Sequence, residues 1–206
     1  MLHPRLRDPD AVAALADAFA ASGSLRIDSV LDERAAATLA DALAAQPFAL
    51  KSPRGDLRFL YYEHAFVPET GCDHPTCAAG RWLWSEAAAL AGRLAGAALG
   101  PPVDRMVTAT LYSRGCYLDA HNDTDGSRAL AFVLGLTRDT WPAERGGHLE
   151  FLHGLAVRER RAPGWNTLDL FDVRAPRHTH RVPMLLDPVL RLAVSGWFYP
   201  ATAAAR

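Results

Sequence analysis

Apolar residues return every three to four positions in three stretches of the first hundred residues. Residues 9–22, 32–46 and 81–99 carry this spacing and predict helices whose apolar stripes need a surface to pack on. Pro9 after Asp8 suits a first turn, Gly23 a C-terminal stop, Asp32 an N-cap, and Gly100-Pro101-Pro102 ends the third helix. Beyond Pro102 the period changes. Short runs rich in β-branched and aromatic residues predict strands at 104–113, 116–121, 128–136, 147–152, 167–173, 178–183 and 189–199, with two more at 24–30 and 57–67. Strands this short and this closely spaced point to a sandwich or barrel rather than to alternating βαβ units. The expectation is an α+β, mainly β protein with one domain over 1–206: helices over about 1–100, then a β core over about 104–199.

Composition narrows the class. The chain has 206 residues, half of them apolar and 22% charged, which is too apolar for disorder. Twenty-two basic residues against 23 acidic ones give a formal net charge of −1, without the basic excess that phosphate contacts require, so nucleic acid is not an expected partner. No apolar run is long enough to span a membrane. The opening MLHPRLRDPDAVAAL has acids and a proline where a secretion signal has its apolar run, so the expected location is cytoplasmic. Three cysteines, Cys72, Cys77 and Cys116, do not make a disulfide scaffold.

The chemistry starts at His121-Asn122-Asp123, at the end of a predicted strand. Positions i and i+2 share a face, so imidazole and carboxylate converge on one point; the same residues also read as a plain turn. The C-terminal stretch adds His178 and His180, and a last strand on which Arg191, Ala193, Ser195 and Trp197 share a face. An inward arginine is costly unless it meets an anion, and its planar fork suits a carboxylate. Two histidines and one carboxylate on one face form the 2-His-1-carboxylate triad of non-haem Fe(II) oxygenases. The arginine then has a task, holding the far carboxylate of a keto acid that chelates the iron.

These residues also sit in longer motifs. Tyr112-Ser-Arg-Gly115-Cys-Tyr117-Leu-Asp-Ala-His121-Asn-Asp123, Trp141-Pro-Ala-Glu-Arg-Gly146-Gly147-His-Leu149, Asn166-Thr-Leu168-Asp-Leu-Phe171, and His180-Arg-Val182 through Arg191-Leu-Ala-Val-Ser195-Gly196-Trp197-Phe198 follow one another in order. Together they resemble the Fe(II)- and 2-oxoglutarate-dependent dioxygenases, on the prolyl-4-hydroxylase-like branch and nearest its subgroup of ribosomal-protein prolyl hydroxylases, over roughly 104–199. The resemblance implies a double-stranded β-helix (a jelly roll, cupin-like) with the N-terminal helices buttressing its larger sheet. It implies an oxidoreductase using Fe(II), 2-oxoglutarate, O2 and ascorbate as reductant, with His121, Asp123 and His180 as metal ligands and Arg191 on the C5 carboxylate. Tyr112 matches a tyrosine that bonds the same cosubstrate in several members, and reads equally as a core aromatic with a satisfied hydroxyl. His178 competes with His180, which the H-x-V pattern favours. The implied reaction is hydroxylation of an unactivated C–H bond, foremost of a prolyl residue in a protein. A free amino acid, peptide or secondary metabolite is the alternative substrate, and a non-catalytic metal-binding jelly roll the alternative class.

One departure is visible. Many relatives end the strand matching 128–136 with a tyrosine beside the cosubstrate, whereas this chain has Leu134-Gly135-Leu136, leaving a pocket that relies on Tyr112 and Arg191 or is wider. Two other features stand outside the motifs. His64, Cys72, His74 and Cys77 could bind zinc, or the two thiols could join, in a loop beside the active-site mouth. Arg158, Arg160, Arg161, Arg174, Arg177 and Arg181 form a basic patch that reads as a solvated face or as a receiver of an acidic substrate. His3, His148 and His153 have no partner pattern.

Overall fold

The computed structural model describes residues 1–53, 56–65, 72–100, 107–124, 127–174 and 178–201. Helix α1 (Pro9–Ser22) starts where the Asp8 carboxylate accepts the Asp10 N–H at 3.0 Å, and it stops at Gly23, whose φ of 69° only glycine adopts freely. In α2 (Glu33–Ala44), Asp32 accepts from the N–H groups of Arg34 and Ala35. The third helical segment begins before the expected residue 81. α3 (Pro75–Trp82) runs through a π turn over Leu83–Ala87 into α4 (Ala88–Ala95). Pro75 sits at the first helical position, and the His74 ring accepts the Thr76 N–H at 3.4 Å. Gly96, at φ 59°, ends the segment, and the expected Pro101-Pro102 stop lies outside the described residues.

The strands are β1 (Ser24–Asp28), β2 (Ala49–Lys51), β3 (Phe59–Ala65), β4 (Leu99–Gly100), β5 (Thr108–Tyr112), β6 (Tyr117–His121), β7 (Leu130–Leu136), β8 (Leu149–His153), β9 (Ala156–Arg161), β10 (Trp165–Asp172), β11 (His180–Val182) and β12 (Arg191–Pro200). The expected strand ends at 104–106 and 66–67 fall outside the described residues. β2, β4 and β9 had no strand signal, being short or, in β9, dominated by arginines.

Every pairing among the described strands is antiparallel, in the order β1-β10-β7-β12-β5-β3-β6-β11-β8-β9. β3 turns the corner: Tyr62–Ala65 pair with β5, and Phe59–Leu60 with β6. The sheet thus folds on itself as a jelly-roll half-barrel. The larger layer is β1-β10-β7-β12-β5 and the smaller β6-β11-β8-β9.

Alternation sets the two faces of the larger layer. Leu130, Phe132, Leu134 and Leu136 of β7, with Leu168 and Leu170 of β10, join Phe19, Leu39, Leu43, Leu90 and Leu94 of the helices in one buried cluster. The intervening residues Ala131, Val133 and Phe171 face the barrel interior with Trp197. A bulge separates Trp165 from Thr167, and Asn166 between them takes φ 54°. The Asn166 side chain accepts the Leu31 N–H at 2.9 Å and donates to the Leu31 carbonyl at 2.8 Å. That buried clasp fixes where Thr167 enters the sheet.

Candidate metal centre

β6 and β11 run side by side with His121 opposite His180, their ring centroids 4.3 Å apart. Asp123 follows two residues beyond the end of β6. One ligand atom from each of His121, Asp123 and His180 lies within 4.8 Å of the others. His121 Nε2 is 3.5 Å from Asp123 Oδ1, and His180 Nε2 is 3.7 Å from Oδ2. Each remaining ring nitrogen meets a backbone carbonyl: His121 Nδ1 that of Asp119 at 2.9 Å, His180 Nδ1 that of His178 at 3.0 Å. A carbonyl can only accept, so each Nδ1 carries the hydrogen and each Nε2 offers its lone pair to the shared point. Two imidazole nitrogens and one carboxylate converging from one side suit Fe(II), with coordination positions left open.

The local electrostatics favour ligation. Burial, with His121 alongside, pushes His180 down to about 4, so its ring is neutral near pH 7. Burial opposes ionisation of Asp123, but the two histidines facing it, whenever either takes up a second proton, outweigh that and hold the carboxyl below its ordinary value. Burial likewise lowers His121, and its bond to the Asp123 carboxylate overrides that and raises it. His178 is not in this group. Its ring is buried against Phe151 and Phe171, its Nδ1 meets the Asp172 carbonyl, and its own carbonyl orients His180.

Arg191 opens β12 opposite Tyr112, the last residue of β5, and lies 4.7 Å from the centre of the tyrosine ring. Tyr112 stacks on Tyr61 at 5.3 Å. The Arg191 side chain is buried, no carboxylate pairs with it among the described residues, and burial pulls its pKa below the ordinary value. A cavity of about 440 Å³ joins this end to the three ligand residues. Its walls include Phe59 and Tyr61 from β3 and, across from them, Trp197 with the Arg128 guanidinium 3.6 Å from its ring centre. Arg128 Nη1 is also 3.9 Å from Asp123 Oδ1. Arg128 and Tyr61 were missed in the sequence. Arg128 stands just before an apolar strand and Tyr61 within an aromatic run, so neither spacing nor composition singled them out.

On the tyrosine-free strand the space above Gly135 is filled from neighbouring strands. A Cβ on Gly135 would lie 2.6 Å from the Gly164 carbonyl oxygen and 2.6 Å from Thr167 Oγ1, so neighbouring backbone and side chain already occupy that space. In the cysteine segment the thiols and the histidines have other partners. Cys72 and Cys77 are joined as a disulfide, and His74 is used as the α3 cap. His64 is occupied at the Pro47 carbonyl. The basic patch is largely neutralised within itself: Arg160 and Arg181 both bind Glu150, Arg161 binds Glu159 and Asp169, and Arg174 binds Asp172. Arg177 lies outside the described residues.

Residues 107–199 match the family model of the 2OG-Fe(II) oxygenase superfamily. A prolyl 3,4-dihydroxylase (OGFOD1) of Ostreococcus tauri is 30% identical over 114 residues, which cover 48% of this chain and 21% of that protein. The chain therefore spans about a fifth of the length of the curated relatives it matches. In fold, a prolyl hydroxylase of Trichoplax adhaerens, solved with a hypoxia-inducible-factor peptide, superposes with a TM-score of 0.71 at 15% identity, covering 95% of this chain and 90% of that one. The epimerase SnoN of nogalamycin biosynthesis superposes with a TM-score of 0.67 at 20% identity, covering 95% and 83%. The match is confined to the β core that carries both histidines, the aspartate and the arginine, and it is over these residues, 107–199, that the chain is similar to the 2OG-Fe(II) oxygenase superfamily and its prolyl hydroxylases.

Proposed function

We propose that the chain is an Fe(II)- and 2-oxoglutarate-dependent dioxygenase that hydroxylates a prolyl residue in a protein, and that it works as one cytoplasmic domain with ascorbate as reductant. The observation that carries this reading is the placement, in one cavity, of the His121-Asp123-His180 cluster and of the buried Arg191 guanidinium, with which no described carboxylate pairs. No helix among the described residues is long and apolar enough to cross a membrane. The helices and the larger sheet layer share one apolar cluster, which favours a single domain.

His121, Asp123 and His180 would hold Fe(II), and Arg191 the distal carboxylate of 2-oxoglutarate. When bound with 2-oxoglutarate and O2, Fe(II) supplies the oxidising chemistry that turns the keto acid into succinate and CO2 and a C–H bond into C–OH. The protein supplies the geometry. The Asp119 and His178 carbonyls hold the protons of the two imidazoles away from the centre. Tyr112 flanks the guanidinium and, with Tyr61, walls the cosubstrate end against water. The Phe59 and Trp197 walls leave an apolar approach for a substrate ring, and Arg128 offers a cation for a backbone carbonyl.

The test is aerobic incubation with Fe(II), 2-oxoglutarate and ascorbate, following succinate by NMR and prolyl peptides by mass spectrometry. Succinate with one added oxygen atom on a proline supports the reading. Absence of succinate with any substrate pool overturns the activity, and succinate without protein modification moves the substrate to small molecules.

A further inference from the structure

Behind Arg191 lies a second, much smaller cavity of about 10 Å³, room for a single water. Arg191 borders both cavities, whereas Thr167 borders only the small one. The other charged groups around it are engaged with one another. Arg26 binds Asp169 through two hydrogen bonds of 2.9 and 2.7 Å, and Arg161 Nη1 reaches the same carboxylate at 3.1 Å. Two atoms of the lining residues are left over: Thr167 Oγ1 and Arg191 Nε are both buried without a hydrogen-bond partner. Leaving such atoms unsatisfied is costly, and a hydroxyl and a guanidinium N–H are a matched acceptor and donor.

The backbone puts them on the same inward face, with Arg191 two residues before Ala193 on β12. Gly135 of β7 pairs with Ala193 of β12 on one side and with Thr167 of β10 on the other. Gly135 is what admits the hydroxyl, since a Cβ there would lie 2.6 Å from Thr167 Oγ1. The Asn166 clasp at the preceding bulge holds Thr167 to this register.

We infer that one water in this cavity bridges Thr167 Oγ1 to Arg191 Nε, making Thr167 a positioning residue that aims the Arg191 guanidinium at the distal carboxylate of 2-oxoglutarate. The inference rests on the cosubstrate assignment above. Tyr112 holds the Arg191 guanidinium from one side, through its ring and a hydrogen bond, and leaves Nε without a partner. Thr167 touches neither metal nor substrate and acts only through the arginine.

The experiment is anaerobic calorimetric titration of 2-oxoglutarate into Mn(II)-loaded wild type, Thr167→Val and Thr167→Ser, with Mn(II) affinity measured separately by electron paramagnetic resonance. Thr167→Val should raise the 2-oxoglutarate Kd about 2- to 10-fold, the worth of one hydrogen bond. Thr167→Ser should restore it, Mn(II) affinity should stay constant, and in turnover KM should rise with kcat unchanged. An unchanged Kd in Thr167→Val, or a Kd that Thr167→Ser fails to restore, overturns the positioning role while wild-type binding keeps the cosubstrate reading. No binding by wild type overturns both. Should the valine variant not fold, a high-resolution crystal structure of wild type decides: a water bonded to both atoms supports the bridge, and an empty cavity removes it.

Discussion

On β7, Leu130, Phe132, Leu134 and Leu136 point outward into the helices, while Ala131, Val133 and Gly135 point into the barrel beside buried charges. The outward face needs only shape and volume, which many apolar sets can supply. The inward face carries groups that are expensive to bury, and how each is compensated separates architecture from chemistry. Two arginines show the difference. Arg161 and Arg191 are 8% and 6% exposed, so their surroundings are equally dry. Arg161 is held by Glu159, Asp169 and the Ser24 hydroxyl, and its charge is cancelled by the fold. Arg191 has an aromatic ring beside it and a cavity in front, so its charge stays available to a ligand.

The comparison breaks most sharply at the ligand cluster. Asp123→Ala should abolish stoichiometric Fe(II) or Mn(II) uptake and lower turnover by more than about 100-fold, since even indirect partners of metal ligands are worth 10- to 100-fold. Its melting temperature should stay near that of metal-free wild type. Metal analysis with thermal unfolding checks both, and retained metal would move the ligand set elsewhere. The opposite face should give the opposite result. Phe132 is fully buried with its ring 4.9 Å from Phe198, so Phe132→Ala should lose about 3–5 kcal/mol of stability. That corresponds to roughly 6–20 °C in melting temperature. Metal stoichiometry in the folded fraction should not change, and a changed stoichiometry would mean that the two faces are coupled.

The two arginines divide the same way at smaller size. Arg191→Ala should weaken 2-oxoglutarate binding by about 10- to 100-fold, the worth of hydrogen bonds to a charged group. Without ligand, its stability should be unchanged or higher, because an uncompensated buried charge is gone. Arg161→Ala should cost about 1–3 kcal/mol of stability through the polar groups it leaves unpaired, with little change in the 2-oxoglutarate Kd. Calorimetry and denaturant unfolding on both variants test the split, and a Kd effect larger in Arg161→Ala would reverse it.

What could be read beforehand follows from how local each signal is. The β7 leucines alternate and the α1 and α2 caps lie within three residues of what they cap, so their elements were visible in the chain. Strand alternation pointed to His121 with Asp123 and to an inward Arg191 but left His178 and His180 alike; the H-x-V resemblance favoured His180, and it is His180 that lies beside His121 and Asp123. Other features depend on partners far along the chain. β9 reads as a charged patch until Glu150 and Asp169 arrive to neutralise it. Arg128 means nothing until Trp197, 69 residues later by number, comes beneath it. The start of α3 was hidden because a histidine, rather than Ser, Thr, Asp or Asn, caps it. Leu134-Gly135-Leu136 read only as a stretch without a tyrosine, because no sequence rule brings the Gly164 carbonyl against Gly135.

Gly135→Ala probes the boundary between the two faces at the finest grain. The added methyl would meet the Gly164 carbonyl oxygen and Thr167 Oγ1, both at 2.6 Å, and one of them must move. The carbonyl is tied, since it accepts the Thr137 N–H at 3.0 Å, so the threonine side chain yields more easily. Overpacking by one methyl costs about 1–3 kcal/mol, or roughly 2–12 °C in melting temperature. Turning Thr167 away from Arg191 should also raise the 2-oxoglutarate Kd by about 2- to 10-fold, the worth of a single hydrogen bond. Mn(II) affinity should hold, because β6 and β11 do not touch this row of the sheet. If instead only the melting temperature falls, Gly135 serves packing alone. The outward and inward faces would then be independent down to single methyl groups, and the contrast between them would be sharper than the cavity behind Arg191 suggests.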